Sequence, residues 1–218
     1  MAASWSGGKD SCLACHKAIL EGHNILFLVN FISEEYGRVS FHGTPAPLIN
    51  EQADALGIRL VQRATSQGGY EEQFKRVVEE LVCEGVEGMI FGDIHIQEHR
   101  DWVERVCGEI GVIPIEPLWG MRTEDVYKMF IDYGFEALIV SVKPRLVGKG
   151  WVGRRVDSAF LEYLACSGID VCGENGEYHT FVTDGPIFKR RIKILEFRLV
   201  EKDETCFADI VRYRLEDK

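Results

Sequence analysis

The chain has 218 residues, of which 46% are apolar, and it carries a formal net charge of −10. No apolar run approaches the roughly 20 residues that cross a bilayer, and an acidic chain lacks the concentrated basic charge that nucleic acid or anionic lipid requires. We therefore expect a globular protein without membrane or nucleic-acid partners. The first motif begins at residue 6 and leaves no room for a signal peptide, so we expect the protein to be cytoplasmic.

The first predicted elements are a strand at residues 2–5 and a helix at residues 12–20, joined by a glycine turn. This turn, called the phosphate loop below, consists of Ser6, Gly7, Gly8, Lys9, Asp10 and Ser11. The first turn of a helix has unpaired N–H groups and a partial positive charge, and glycines let a ligand approach the backbone. We therefore predict that the loop binds phosphate oxygens, with Asp10 as a first-turn carboxylate or a Mg²⁺ ligand. It follows neither the Walker spacing nor G-x-G-x-x-G.

Strands and helices alternate as far as residue 142. Apolar runs predict strands at residues 25–31, 58–61, 88–91, 112–115 and 136–142, and amphipathic patterns predict helices at residues 47–56, 70–84, 98–109 and 124–133. This alternation indicates βαβ units and a parallel sheet, whose carboxyl edge binds ligands in open α/β folds. The residues predicted to lie at that edge are Asn30, Phe31, Gly92, Asp93 and His95.

The pattern changes after residue 143 to a glycine-rich connection, a helix at residues 157–166 and two alternating strands around residues 195–199 and 211–215. Period-two alternation with one polar face predicts an antiparallel hairpin, with its turn near residues 202–204. We predict an α/β fold: a Rossmann-like parallel-sheet domain at residues 1–140 and a smaller C-terminal α+β lobe at residues 141–218.

A second polar stretch precedes the hairpin. This acceptor segment consists of Gly173, Glu174, Asn175, Gly176, Glu177, Tyr178, His179 and Thr180. Its two glycines predict a turn, and polar loops on rigid scaffolds are where binding sites gather. A structural reading stays open, in which both glutamates are solvated and His179 is a satisfied core residue.

The sequence S-G-G-K-D-S at residues 6–11 resembles the PP-loop of the adenine nucleotide alpha hydrolase superfamily, whose members split ATP between the α and β phosphates. Almost the full chain is similar to the diphthine–ammonia ligase family. The matching segments are Gly92-Asp93-Ile94, Arg105-Val106-Cys107, Pro117-Leu118-Trp119-Gly120 and Asp184-Gly185-Pro186-Ile187-Phe188. The resemblance implies a PP-loop fold of the HUP type and an ATP-dependent ligase that adenylates a carboxylate, releases pyrophosphate and AMP, and forms an amide with ammonium.

The acceptor segment departs from this family at two positions. Its diphthamide-forming members typically carry E-G-G-E-Y-E-T, whereas this chain has Asn175 and His179. His179 stands where the family has a glutamate, so a fixed negative charge is replaced by an imidazole that is expected to titrate near neutrality. This version resembles a prokaryotic paralogous branch, for which amidation of a cobalamin precursor has been suggested. The implied acceptor is thus diphthine on elongation factor 2, or another, smaller acid.

Within this scheme we expect ATP and Mg²⁺ as cofactors, with all six phosphate-loop residues and Asn30, Phe31, Gly92 and Asp93 around the nucleotide. The expected catalytic residues are Lys9, Asp10, Glu174, Glu177 and His179. We expect Asn175, Gly176, Tyr178, Thr180 and His95 to contact the substrate, and Asp10 and Asp93 to hold Mg²⁺.

Two other classes of function stay open. A nucleotide-binding sensor would need no acceptor segment, and an RNA-thiolating enzyme usually needs paired catalytic cysteines and a basic surface. The seven cysteines suggest free thiols, and buried thiols on a helix are the favoured reading for Cys12 and Cys15. The basic cluster at residues 189–191 is more typical of a solvated strand entrance. A homodimer is compatible with the sequence.

Overall fold

The computed structural model of the protein describes residues 1–66 and 68–218, and it has the predicted α/β class. A short 3₁₀-helix covers Lys149–Trp151. In chain order the other elements are β1 (Ala2–Ser4), α1 (Lys9–Leu20), β2 (Phe27–Ser33), α2 (Ala46–Leu56), β3 (Arg59–Thr65), α3 (Tyr70–Val82), β4 (Gly88–Ile90), α4 (Gln97–Ile110), β5 (Ile113–Ile115), α5 (Thr123–Asp132), β6 (Glu136–Val142), α6 (Ser158–Ser167), β7 (Tyr178–Asp184), β8 (Arg190–Lys202) and β9 (Thr205–Asp217).

The first sheet is parallel, with the strand order β3-β2-β1-β4-β5. Successive side chains of a strand point to opposite faces. Ala2 accordingly packs in the core formed with α3 and α4, while Ala3 packs in the larger core that contains α1 and α2. Helices therefore cover both faces of the sheet. The phosphate loop directly follows β1, the central strand, and so emerges at the carboxyl edge of the sheet.

The second sheet is antiparallel, with the order β7-β6-β9-β8. Our prediction that residues 136–142 extend the parallel sheet is wrong. β6 is paired on both edges and largely buried, which produces the same continuous apolar run as a central parallel strand. The domain boundary at residue 140 falls inside β6 and stays a prediction.

The acceptor segment is only partly a turn, because β7 begins at Tyr178. Its polar residues at positions 179 and 180 hide the alternation by which a strand is recognised. The predicted hairpin is confirmed: Lys202 pairs with Thr205 around a two-residue turn in which Asp203 has a φ of 46°. In the part of the chain that the structure describes, no helix combines the length and apolar character needed to cross a membrane.

Candidate active site

The phosphate loop connects β1 to α1, as predicted. Gly8 precedes the helix and has no side chain that could cap it. Within the loop, the Gly8 N–H donates to Ser6 Oγ (3.2 Å), and Ser11 Oγ donates to the Gly8 carbonyl (3.0 Å). The two serine hydroxyls lie 3.3 Å apart. The loop therefore concentrates N–H and hydroxyl groups at one end of a helix, the arrangement that binds phosphate.

Gly92 supports this loop from the end of β4. A Cβ at this position would come within 3.0 Å of the Asp10 carbonyl carbon and oxygen and of the Ser11 nitrogen. These are backbone atoms of the first turn of α1, which cannot move aside as a side chain can. Glycine is thus required for close packing, and Gly92 acts here by its small size.

Lys9, which is buried, and Asp10, which is half-buried, form an ion pair beside the acceptor segment. Lys9 Nζ donates to Asp10 Oδ2 (2.8 Å) and to the carbonyl oxygen of Cys172. Burial alone would lower the pKa of Lys9, but Asp10, Cys172 and Glu174 outweigh burial and raise it. Burial raises the pKa of Asp10 although Lys9 opposes this shift. Lys9 therefore stays charged, and it lies between the phosphate loop and the acceptor segment.

The acceptor segment shares a cavity of about 1080 Å³ with the phosphate loop. Ser6, Lys9 and Asp10 line it on one side, and residues 172–180 line it on the other. The Glu177 carboxylate closes the turn by accepting from the Asn175 backbone N–H (3.0 Å) and from Asn175 Nδ2 (3.1 Å). Gly176, with a φ of 73°, lies between them. Asn175 and Glu177 thus both line the cavity, and their side chains bond to each other.

Glu174 has a different environment. Its pKa is raised to about 7, chiefly by burial and then by Asp10, with further contributions from Asp93 and Asp170, while Lys9 opposes the shift. A carboxylate with this pKa exchanges protons near neutral pH, as general acid–base chemistry requires.

His179 lies beside His42, a residue from the loop after β2, with ring centroids 4.6 Å apart. His42 Nδ1 donates to the Thr180 carbonyl (3.0 Å). Burial lowers the pKa of His42 to about 4 and lowers that of His179 well below its ordinary value. Our expectation that His179 titrates near neutrality is therefore wrong, because a half-buried imidazole next to a second imidazole and to Lys9 is kept neutral.

Two other predicted substrate residues line the same cavity but have internal partners. The hydroxyl of Tyr178 donates to the Val171 carbonyl (2.6 Å), and the ring packs edge-on against Phe160. Thr180 Oγ1 accepts from the backbone N–H of Lys9 (2.9 Å). Thr180 thus connects β7 to the phosphate loop, and its role toward substrate stays a prediction.

A second cavity of about 1070 Å³ extends from the phosphate loop along β2 and contains the predicted nucleotide residues Asn30 and Phe31. Asn30 is buried; its Nδ2 donates to the Trp5 carbonyl (2.7 Å), and its Oδ1 accepts from Gln62 (2.8 Å). Phe31 packs edge-on against Tyr70, which lines the same cavity (5.0 Å between centroids). The two cavities meet at Ser6, Phe41, His42, His99 and His179, among others.

Of the two histidines after β4, His99 lines both cavities, whereas His95 is exposed and lines neither. The contact of His95 with the substrate stays a prediction. Ile94 is buried, and the chain then turns into α4, which carries His99 back to Asp93 (3.1 Å between Nδ1 and Oδ1). The hydrogen bond to Asp93 raises the pKa of His99. The helix start at Gln97 was the sequence signal that could have distinguished the two histidines.

The donor set fits a magnesium ion only in part. Within the described residues, no group of three or more His, Cys, Asp or Glu side chains could hold a metal. Asp10 Oδ1, however, is buried and has no hydrogen-bond partner there. Asp10 and Asp93 also lie close enough to Glu174 to raise its pKa. One free carboxylate oxygen suits Mg²⁺, which takes most of its other ligands from water and phosphate oxygens.

A parallel sheet with an S-G-G-K-D-S loop at the carboxyl edge of its central strand defines a PP-loop α/β protein. Two family models match this chain, the diphthamide synthase N-terminal domain at residues 1–114 and its C-terminal domain at residues 122–215. The chain therefore belongs to the diphthine–ammonia ligase family.

Two relatives agree with this assignment. The chain is 30% identical to diphthine–ammonia ligase of Mus musculus, covering 99% of this chain and 90% of the relative. It is also 30% identical to that of Homo sapiens, covering 100% and 93%. A solved structure described as a predicted subunit of tRNA methyltransferase, from Methanocaldococcus jannaschii, aligns with a TM-score of 0.46 and 14% identity over 85% of this chain and 98% of its own. That similarity is too low to support an inference.

Proposed function

We propose that this protein is an ATP-dependent carboxylate–ammonia ligase of the diphthine–ammonia ligase type. ATP binds with its triphosphate on the phosphate loop, the acceptor carboxylate enters along the acceptor segment, and the products are an amide, AMP and pyrophosphate. The family membership supports the reaction class, and the cavity supports the arrangement of the substrates.

The observation that carries the proposal is the shared cavity of about 1080 Å³ between the phosphate loop and the acceptor segment. Lys9 contacts both sides of it, through Asp10 and the Cys172 carbonyl. A phosphate site alone would suit a nucleotide sensor. A phosphate site that faces a second polar wall suits a transfer between two bound groups, because the reactants are held in one volume.

In the first step, an acceptor carboxylate oxygen bonds to the α-phosphorus and the bond to the oxygen bridging the β-phosphorus breaks. The electron pair leaves with pyrophosphate, whose charge the loop N–H groups, Ser6 and Ser11 stabilise. In the second step, ammonia nitrogen bonds to the acyl carbon and the bond to the AMP oxygen breaks. Asp10 Oδ1, which is buried and has no hydrogen-bond partner among the described residues, is the oxygen we assign to the Mg²⁺ that accompanies ATP.

Ammonium must lose a proton before it attacks, and Glu174 is the group we assign to accept it. Its pKa of about 7, raised first by burial and then by Asp10, makes it a base at slightly alkaline pH. Asp10 and Asp93 add negative charge nearby, which attracts a small cation. His42 and His179 stay neutral, so they line the wall without repelling ammonium.

The proposed acceptor is diphthine, the substrate in the name of the relatives. The test incubates the protein with ATP, ammonium and elongation factor 2 that carries diphthine, and measures the amide by mass spectrometry together with AMP. AMP formation with a small carboxylic acid, but not with the elongation factor, would favour the paralogous reading. No AMP with any acceptor would favour a nucleotide sensor.

The loop assignment has its own test, the double substitution Lys9→Ala and Asp10→Ala. We expect loss of ATP binding and of AMP formation, because the cation and the free carboxylate oxygen are both removed. Lys17→Ala, near the other end of α1 and outside both cavities, is the matched control and keeps both. Survival of both activities in the double variant would contradict the assignment.

A further inference from the structure

Gln52, which no sequence pattern singled out, joins three separate segments through its side-chain amide. It lies on α2 and is fully buried. Its Oε1 accepts from Trp5 Nε1 (3.0 Å), and its Nε2 donates to the carbonyl oxygens of Gly7 (3.0 Å) and Val182 (2.6 Å). Both protons of Nε2 are used, and the indole donor determines which end of the amide carries the oxygen. A buried amide with these partners has one orientation.

The carbonyl oxygen of Gly7 is held from two directions. It accepts from Gln52 Nε2 and from the backbone N–H of Val182 on β7 (2.9 Å). Gly7 has a φ of 80°, a conformation that favours glycine, and a Cβ there would lie 2.6 Å from Gln52 Oε1. The loop therefore cannot rotate this peptide without breaking two hydrogen bonds at once.

The orientation of this peptide determines the sign of the charge that the loop presents. In a planar trans peptide, the C=O and the following N–H point in opposite directions. With the Gly7 carbonyl turned toward Gln52, the Gly8 N–H is turned to the other side, where it contacts Ser6 Oγ (3.2 Å). If the peptide flipped, a carbonyl oxygen would replace that N–H and repel an anion.

We propose that Gln52 is a positioning residue of the phosphate loop. It holds the Gly7 carbonyl away from the phosphate side and thereby keeps the Gly8 N–H available to phosphate oxygens. The inference rests on the proposed function, in which this loop holds the triphosphate. Gln52 lines neither cavity, so it acts through the loop and touches no substrate.

The same amide also connects the loop to β7. The Val182 carbonyl accepts from Gln52 Nε2, and the Val182 N–H donates to the Gly7 carbonyl. Two residues earlier on β7, Thr180 Oγ1 accepts from the Lys9 N–H. These contacts fix the position of the loop relative to the strand that continues the acceptor segment. The contacts of Gln52 also connect both of them to α2.

The test is Gln52→Glu, which keeps the shape and replaces the Nε2 donor by an oxygen. At pH 8 the introduced carboxylate would face two carbonyl oxygens with no proton to donate, so we expect the affinity for inorganic pyrophosphate to fall about tenfold or more. The measurement is calorimetric titration of the full chain, at a temperature at which circular dichroism shows a folded variant. The KM for ATP should rise with the pyrophosphate Kd.

Acidification provides a readout that general destabilisation would not give. A protonated carboxyl has one O–H donor, and burial raises the pKa of such a group. We therefore expect the pyrophosphate affinity of Gln52→Glu, expressed relative to the wild type, to recover between pH 8 and pH 6. Gln52→Met, of similar length and without a donor, should lose affinity and not recover. Gln52→Met also tests the loss of affinity if Gln52→Glu does not fold.

Thr183→Val is the matched control, because it removes one side-chain hydrogen bond from the same strand, to the Glu136 carbonyl (3.2 Å), and leaves the loop contacts intact. It should lose stability and keep wild-type pyrophosphate affinity. If Gln52→Glu and Gln52→Met both keep the wild-type affinity for pyrophosphate, this inference is wrong while the proposed function stands. A loss of affinity in Gln52→Glu that acidification does not reverse would also overturn this inference only. Absence of pyrophosphate binding by the wild type would overturn the proposed function, and this inference with it.

Discussion

Glu174 is the residue on which the proposed chemistry depends most. Burial raises its pKa to about 7, and Asp10 adds to the shift. The residue type and its place in a polar segment were readable from the sequence. Its pKa was not, because the shift arises from the packing of residues 170–174 against a phosphate loop more than 160 positions away.

We predict that Glu174→Gln slows amide formation by about 10²–10⁴-fold, the usual contribution of a general base. The wild-type rate, measured at saturating ammonium, should rise between pH 6 and pH 8 as Glu174 loses its proton. The variant should lack this rise. Glu162→Gln, an exposed change on α6, is the control. An unchanged pH profile in Glu174→Gln would contradict the assignment.

The same substitution should have the opposite effect on stability. The pKa of Glu174 is raised in the folded state from an ordinary value of 4.5 to about 7. Between these values the folded chain binds more protons than the unfolded chain, so stability falls as pH rises through this window. Glu174→Gln removes the penalty, and we expect it to be more stable than the wild type by about 1–3 kcal/mol at pH 8. Urea unfolding at pH 5 and pH 8 measures the difference, which should shrink at pH 5; equal or lower stability at pH 8 would contradict it.

Residue type alone misleads at His179, whereas the reading of the cysteines was correct. His179 was expected to titrate near neutrality, and burial beside His42 keeps it neutral. For Cys12 and Cys15 the prediction of buried thiols is confirmed, and burial raises the pKa of both, that of Cys15 to about 12. Such thiols are poor nucleophiles at pH 7, which argues against thiolation chemistry at this pair.

Among the elements, those with a local signal were predicted correctly. The phosphate loop and α1 follow from glycines and a helix start within a dozen residues. Helix α2 ends at Leu56, as predicted, and Gly57 follows it in the left-handed conformation. β6 was assigned to the wrong sheet and β7 was missed. Their partners lie about 40 or more residues away, and the pairing of strands is decided by tertiary contacts that periodicity does not encode.

Gly92→Ala tests the packing of β4 against the first turn of α1. The added Cβ would lie 2.8–3.0 Å from backbone atoms of residues 10 and 11. We expect a loss of about 1–3 kcal/mol, as for other overpacked sites, and weaker ATP binding because the helix N-terminus must shift. Thermal or urea unfolding and nucleotide titration measure the two effects.

Gly108→Ala on α4 is the matched control, since a Cβ there meets nothing within 4 Å. It should raise stability by up to about 1 kcal/mol through helix propensity and leave ATP binding unchanged. Similar behaviour of the two alanine variants would show that the contact at Gly92 is unimportant.

At the scale of the whole molecule, the two sheets meet at the phosphate loop. Lys9 N–H bonds to Thr180, Val182 N–H bonds to Gly7, and Lys9 Nζ bonds to the Cys172 carbonyl. We predict one calorimetric unfolding transition, shifted upward as a unit by pyrophosphate, with about 2.7 kcal/mol of added stability at 100 times Kd. The Lys9→Ala and Asp10→Ala double variant should show no shift. Two transitions, of which pyrophosphate moves only one, would contradict this coupling.

The acidic composition predicts no general nucleic-acid binding, and the basic cluster at residues 189–191 was interpreted as a solvated strand entrance. The cluster lies at the start of β8, where Lys189 and Arg191 are exposed, as the sequence favoured. Arg191 lies 3.9 Å from Asp184. The number of chains in the assembly is a property that neither periodicity nor charge patterns encode.

The contacts that β7 makes with the Gly7 carbonyl and with Gln52 are all made by main-chain atoms of Val182. A backbone donor and acceptor survive almost any substitution on that strand. Side chains at positions 175–179 are therefore free to change while the phosphate loop keeps its geometry. A changed acid preference at positions 175 and 179 needs no compensating mutation in residues 6–11, so exchange of residues 175–179 between relatives should transfer acid preference without altering nucleotide affinity.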